Sequence, residues 1–157
     1  MGYYLQAFIC RQPDESILKN TFDTAVSVDL GQELALIPMT EELFDQINSL
    51  STSPSVDKFE YMTENVEQKV LDAIGNRRLA YVEAEYFGGK GGQIAIIWCD
   101  NRREQLLSFG QNKINEVLKG FGVTANEGQD EFVTLGFGLR RNTREWIDKR
   151  RPQLGIG

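Results

Sequence analysis

Two strand-like runs on either side of a glycine-rich turn constrain the fold more than any other part of the chain. The runs are Leu79–Phe87 and residues 93–99, and positions 94–99 of the second run are apolar without interruption. Both faces of that strand would therefore be apolar. A strand of this kind is usually covered on both sides, because neither face can be left against water. The segment predicts a hairpin whose second strand is buried on both faces.

Strand-like and helix-like segments alternate along the rest of the chain. Short apolar runs between turn signals predict strands, and apolar stripes behind capping residues such as Thr40 and Thr63 predict helices. Leu50 is expected on the buried stripe of the helix that Thr40 caps. The expected strands lie at 3–10, 25–29, 33–37 and 131–139, and the expected helices at 14–22, 41–50, 63–74, 112–119 and 142–152. Hairpins in place of crossovers indicate an α+β fold, a largely antiparallel sheet with helices packed on it.

The length of 157 residues suits one domain that covers positions 1–157. No apolar run is long enough to cross a membrane. No basic flank precedes the apolar run near the N-terminus, so a signal peptide is not expected. We therefore expect a cytoplasmic protein with no membrane partner.

The charges are distributed unevenly. The chain has 17 basic and 23 acidic residues; positions 1–76 hold 4 and 13 of them, and positions 77–157 hold 13 and 10. An acidic average disfavours nucleic acid as a partner, because binding a duplex needs clustered positive charge. The two halves either attract one another within the fold or present faces of opposite sign to a partner. For any single acidic run, a solvated surface is the more common explanation.

Histidine is absent, which removes the usual general base and the commonest zinc ligand. The two cysteines, Cys10 and Cys99, are too few and too far apart for a zinc site, and both lie in apolar runs where a cysteine is usually a small core residue. We expect no cofactor and no metal.

Two acidic pairs are the main candidates for chemistry. Glu83 and Glu85 share one strand face with Tyr81, about 6.6 Å apart along the backbone. They lie either in a covered groove, which would raise their pKa, or on an open face with ion pairs to basic residues. Asp130 and Glu131 begin the last strand-like segment and could meet the first pair across the sheet, where clustered carboxylates would suit Mg²⁺ or Ca²⁺.

Basic candidates lie in the turn and near the C-terminus. Lys90 is in a glycine-rich loop, but the spacing differs from a P-loop and a strand follows, so a hairpin turn is favoured over a phosphate site. Residues 140–151 include six basic side chains around Trp146, which either form an anion-binding surface or balance the acidic first half. The candidate binding residues are Tyr81, Glu83, Glu85, Lys90, Asp130, Glu131, Arg140 and Trp146.

About half of the chain, residues 80–147, resembles a group of small uncharacterised bacterial proteins. The resemblance rests on the pattern EAEYFGGxGxQ at positions 83–93, on Ile114-Asn115, on Asp130-Glu131-Phe132, on Leu135-Gly136, and on Arg140, Thr143 and Trp146. This group is similar in size and charge to immunity proteins that neutralise toxins. The resemblance therefore implies an immunity-like role.

Two functions remain open at this point. The first is a non-catalytic interaction domain that binds a protein partner through an acidic face built from residues 1–76. The second is an enzyme or ligand-binding domain that uses the four carboxylates as acid, base or metal ligands. A homo-oligomer without a small ligand is a third interpretation.

Overall fold

Six strands form one antiparallel sheet in the computed structural model, which describes residues 2–147. The sheet order is β2-β3-β1-β4-β5-β6, and all neighbours are antiparallel. The strands are β1 (Gly2–Arg11), β2 (Val28–Gly31), β3 (Leu34–Pro38), β4 (Leu79–Phe87), β5 (Lys90–Cys99) and β6 (Arg102–Gly110). The predicted α+β class is confirmed.

Three helices cover one face of the sheet. They are α1 (Glu15–Thr21), α2 (Glu41–Asn48) and α3 (Glu64–Ile74), and their apolar stripes pack on the central strands. Phe8, Tyr81 and Trp98 are fully buried at the centre of this layer, with neighbouring rings 5.0–6.4 Å apart.

Shorter helical segments cover the other face. They are α4 (Lys113–Gly120), α5 (Glu131–Thr134) and the 3₁₀ turns Phe137–Leu139 and Thr143–Trp146. Because both faces carry a packing layer, every side chain from Ile94 to Trp98 in β5 is buried, as its uninterrupted apolar run predicts.

Local signals placed most of these elements. Thr40 and Thr63 cap α2 and α3, since their side chains accept the backbone N–H groups of Leu43 and Val66. The β4–β5 connection is a two-residue turn at Gly88 and Gly89, with φ of +61° and +81°. Two glycines suit such a turn because both central residues need positive φ.

Three expectations about elements were wrong. Residues 131–139 form α5 and a 3₁₀ turn in place of a strand, because the Asp130 carboxylate accepts the Val133 N–H and starts a helix. Leu50 is 98% exposed, because α2 ends at Asn48 and the chain turns left-handed at positions 49 and 50. The helix expected from Asn142 is the 3₁₀ turn Thr143–Trp146, and its remainder from position 148 lies outside the described residues.

The acidic first half and the basic second half attract one another within the fold. Arg77 pairs with Asp14 at 2.7 Å, and two further pairs, Arg103–Glu67 and Arg144–Glu42, join the halves at 2.7 and 2.8 Å. Three of the thirteen acidic side chains in positions 1–76 are therefore paired with arginines of the second half. None of the helices within residues 2–147 has the length and apolar character needed to cross a membrane.

Candidate functional site

Glu83, one of the predicted site residues, holds a loop in place through its carboxylate. Its carboxylate accepts the backbone N–H groups of Glu60 and Tyr61 at 2.6 and 2.9 Å and the Tyr81 hydroxyl at 2.7 Å. Burial raises the pKa of Glu83, and these three hydrogen bonds oppose that rise. Glu83 thus anchors residues 56–62, hereafter loop 56–62, which Val56 and Met62 close by a backbone hydrogen bond.

Of the other candidates on this hairpin, Glu85 lines a small cavity together with Glu83, and Tyr81 donates to the Glu83 carboxylate. Tyr81 is a core residue, and the bond to Glu83 is the only side-chain hydrogen bond that it forms in the described chain. Glu85 lies two residues farther along β4 and is exposed. Lys90 is exposed at the start of β5, so the glycine-rich segment is the favoured hairpin turn.

Asp130 and Glu131 lie on the opposite side of the sheet from Glu83. Asp130 caps α5 and accepts the Asn115 side-chain amide at 3.1 Å, while Glu131 is buried within the layer that α4 and α5 form. The expectation that the two acidic pairs meet was wrong, because a helical layer rather than a strand carries the second pair. Residues 2–147 contain no group of three or more cysteine or acidic side chains that could hold a metal ion.

Arg140 and Trp146 form a packing contact. The Arg140 guanidinium lies over the Trp146 ring, 4.5 Å from its centroid, and the ring packs against Phe137. Trp146 is buried in the core of the second face. The contact therefore docks the 3₁₀ turn Thr143–Trp146 on the sheet.

A groove that the sequence did not predict has a volume of about 460 Å³. It lies where β1, the N-terminus of α2, loop 56–62 and the turn at 142–144 meet; we call it the α2 groove. Its volume is within the range of about 300–1,000 Å³ that is usual for ligand pockets. Its lining residues are Tyr4, Gln6, Met39, Thr40, Glu41, Phe44, Asp45, Tyr61, Asn142, Thr143 and Arg144.

Strand pairing explains why these segments meet. β1 pairs with β3 only from Ala7 onward, so the backbone N–H groups of Tyr4 and Gln6 need other acceptors. The Tyr4 N–H donates to the Arg141 carbonyl at 2.8 Å, and the Gln6 N–H donates to the Thr143 hydroxyl at 3.0 Å. The C-terminal turn thus completes the first strand.

Three aromatic side chains line the groove. The Phe44 and Tyr61 rings meet edge to face at 5.3 Å, and the Tyr4 hydroxyl donates to the Glu60 carboxylate at 2.6 Å. Burial raises the pKa of Tyr4, and the hydrogen bond to Glu60 raises it further. Tyr4 is therefore neutral at physiological pH and serves as a fixed aromatic surface.

The buried end of the groove is polar. Gln6 is 3% exposed, and its side-chain oxygen accepts the Thr143 hydroxyl at 2.9 Å. The small cavity that Glu83 and Glu85 line has a volume of about 60 Å³ and also borders Tyr4 and Gln6. Gln6 lines both cavities.

The mouth of the groove is acidic. Glu42 pairs with Arg144, and its pKa is lowered, first by a hydrogen bond from its own backbone N–H and then by Arg144. Glu41 and Asp45, on the same helix, are exposed and form no ion pair with any residue of the described chain. The groove therefore combines aromatic surface, a buried amide and unpaired negative charge, an arrangement that can bind a cation with hydrogen-bonding groups.

Sequence reasoning missed the groove because its residues are far apart in the chain. One usable signal was Gln6, a polar residue within the otherwise apolar run of β1. A polar side chain in a buried strand must have a partner, which marks its surroundings for attention.

Comparisons with known proteins assign no family: no family model matches the chain, and neither a curated protein nor a solved structure matches it.

Proposed function

We propose that this protein is a non-catalytic binding domain that engages a basic protein partner at the α2 groove. The observation that carries the proposal is the unpaired negative charge of Glu41 and Asp45 at the mouth of an aromatic-lined groove. Three arginines pair with other acids of the first half, one of them Arg144 with Glu42 at the groove itself, yet Glu41 and Asp45 have no counter-ion in the described chain. Complementary charge steers a partner and fixes its orientation.

The proposal has two further parts: an immunity-like role and a cytoplasmic location. The resemblance of residues 80–147 to small bacterial proteins supports the first. Both cysteines are unpaired, which is usual in a reducing compartment and supports the second. A shared carboxylate site is not proposed, because Glu83 and Asp130 lie on opposite faces of the sheet.

The test compares the wild-type protein with the double variant E41Q/D45N in affinity capture from a lysate of the source cells. Each tagged protein is incubated at low and at high salt, and the bound proteins are identified by mass spectrometry. We expect a stoichiometric basic partner that the wild-type protein retains at low salt and releases at high salt, because salt screens exposed charges. The double variant should retain much less of it.

The matched control is E33Q/E127Q, which removes the same charge from two exposed positions outside the groove. This control should capture the partner as well as the wild-type protein does. Equal capture by the groove variant and the control, or capture that salt does not weaken, would contradict the proposal.

A further inference from the structure

The Gln6 side chain has a hydrogen-bond donor that the described chain does not use. The Thr143 hydroxyl accepts the backbone N–H of Gln6, so its own proton is available for the Gln6 Oε1. This pair of bonds fixes the amide with its Nε2 directed away from Thr143. The Nε2 group forms no hydrogen bond with any residue of the described chain, although only 3% of the Gln6 surface is exposed.

The Nε2 atom is not one of the buried side-chain atoms that lack a partner, so it is open to solvent. A ligand that brings a carbonyl oxygen can accept a hydrogen bond from it without disturbing the Gln6–Thr143 contact. Gln6 lines the α2 groove and the smaller cavity beside it, so a ligand in this region can reach its free donor.

Arg144 also lines the groove but is paired with Glu42, and the remaining charged and aromatic groove residues favour a cation. Tyr4, Phe44 and Tyr61 provide aromatic surface, against which a guanidinium or ammonium group is attracted. Glu41 and Asp45 add negative charge at the mouth. A ligand that fits both ends carries a carbonyl oxygen and, a few bonds away, a positive charge.

A basic residue of a polypeptide in extended conformation has this chemistry. We infer that the α2 groove receives one arginine or lysine of the partner, with its backbone carbonyl on Gln6 Nε2, its side-chain stem along the aromatic surface and its charge toward Glu41 and Asp45. The inference rests on the proposed function and specifies what the groove recognises.

The first experiment is a titration of the full chain, labelled with ¹⁵N, with N-acetyl-arginine amide followed by NMR. This probe has backbone carbonyls and a guanidinium and no other recognition element. We expect saturable shifts of the Gln6 side-chain amide resonances and of backbone amides in the first turn of α2, with a dissociation constant on the order of 1 mM for so small a ligand. The N-acetyl-lysine amide should behave similarly.

The control probe is N-acetyl-citrulline amide, which has the same shape and backbone carbonyls but an uncharged ureido group in place of the guanidinium. It should bind at least threefold more weakly, as measured from the same resonances, because it has no positive charge for the acidic mouth to attract. Equal affinity for the two probes, shifts confined to other surfaces, or no saturable shift of the Gln6 amide would overturn the inference.

Two variants separate this inference from the proposed function. Gln6→Leu removes the donor, and Phe44→Ala removes aromatic surface from a partly exposed position of α2, so that it tests the groove even where Gln6→Leu fails to fold. Each should weaken the arginine probe about three- to tenfold. A partner that is captured undiminished by both folded variants but lost by E41Q/D45N would refute the groove recognition and leave the proposed function standing.

Discussion

Glu67 holds α3 on the sheet through a buried hydrogen bond and an ion pair. Replacing it with methionine tests which of the two contributes more to the free energy of unfolding. The Glu67 Oε2 atom accepts the indole N–H of Trp98 at 2.8 Å, and the carboxylate receives two further bonds from Arg103, each of 2.7 Å. Trp98 is fully buried, whereas the Arg103 side chain is 45% exposed. α3 follows loop 56–62, so this anchor also supports the wall of the α2 groove.

The magnitude follows from the two environments. Glu67→Met leaves the indole N–H without an acceptor in the core, at a cost of about 1–3 kcal/mol, and also removes an ion pair worth at most about 1 kcal/mol because Arg103 is largely solvated. We expect a loss of about 3 kcal/mol in the free energy of unfolding. Glu67→Gln can keep its oxygen on Trp98 and Arg103→Met keeps the whole carboxylate, so each should lose about 1 kcal/mol.

Urea unfolding of the three variants at pH 7, followed by tryptophan fluorescence and by circular dichroism, measures these losses. A Glu67→Met variant that unfolds within about 0.5 kcal/mol of Glu67→Gln would refute the reasoning, since the indole bond would then contribute little. Losses in Arg103→Met as large as those in Glu67→Met would assign the anchor to the ion pair.

The same site has a pH dependence. Burial acts to raise the pKa of Glu67, but the hydrogen bonds from Arg103 and Trp98 outweigh it and hold the pKa below its ordinary value. The ionised form is therefore favoured in the folded state. Its contribution to stability is complete above the ordinary glutamate pKa of about 4.3 and is lost as the pH falls through the lowered value. The stability difference between the wild-type protein and Glu67→Gln should shrink below about pH 4.

Three further predictions concern the hairpin and the core. Glu83→Gln should speed hydrogen exchange of the two backbone amides that its carboxylate binds, whereas Glu85→Gln, on the same strand face but exposed, should leave those rates unchanged. Gly91→Ala should destabilise the fold by more than 2 kcal/mol or prevent folding, because a Cβ atom there would overlap the Glu85 backbone oxygen. Gly88 has positive φ but open space around it, so Gly88→Ala should lower the free energy of unfolding by only about 1 kcal/mol. Thermal unfolding of both variants measures the difference. Burial raises the pKa of the Cys10 thiol to about 12, so this thiol should resist a disulfide reagent at pH 8 until the protein is unfolded; rapid labelling of Cys10 in the folded protein would contradict its burial.

The elements that the sequence predicted are those whose signals are local. An apolar run and the Gly88-Gly89 turn predict the β4–β5 hairpin. A capping threonine before an apolar stripe predicts each of α2 and α3. These features depend on residues within a few positions of one another, so no tertiary information is needed to interpret them.

The strand β6 was not predicted, for a physical reason. It lies at the edge of the sheet, where only Leu107 is buried and its first four residues are exposed and mostly charged. Polar residues protect an edge strand against unwanted pairing, and they also erase the alternation by which a strand is recognised. The pairing with β5 decides this segment, and pairing is a tertiary fact.

The sequence did not predict the α2 groove because the contacts that form it join residues far apart in the chain. The same contacts determine what must fold before the groove exists. Its buried polar pair, Gln6 and Thr143, is 137 residues apart in the chain, and the Arg144–Glu42 ion pair spans 102 residues. The groove wall at Tyr61 depends in turn on Glu83, because that carboxylate binds the Tyr61 backbone N–H. Contacts of this length form only when the first strand, α2 and the C-terminal turn are all in place. Binding at the α2 groove should therefore be lost together with global folding and should not survive in either half of the chain alone.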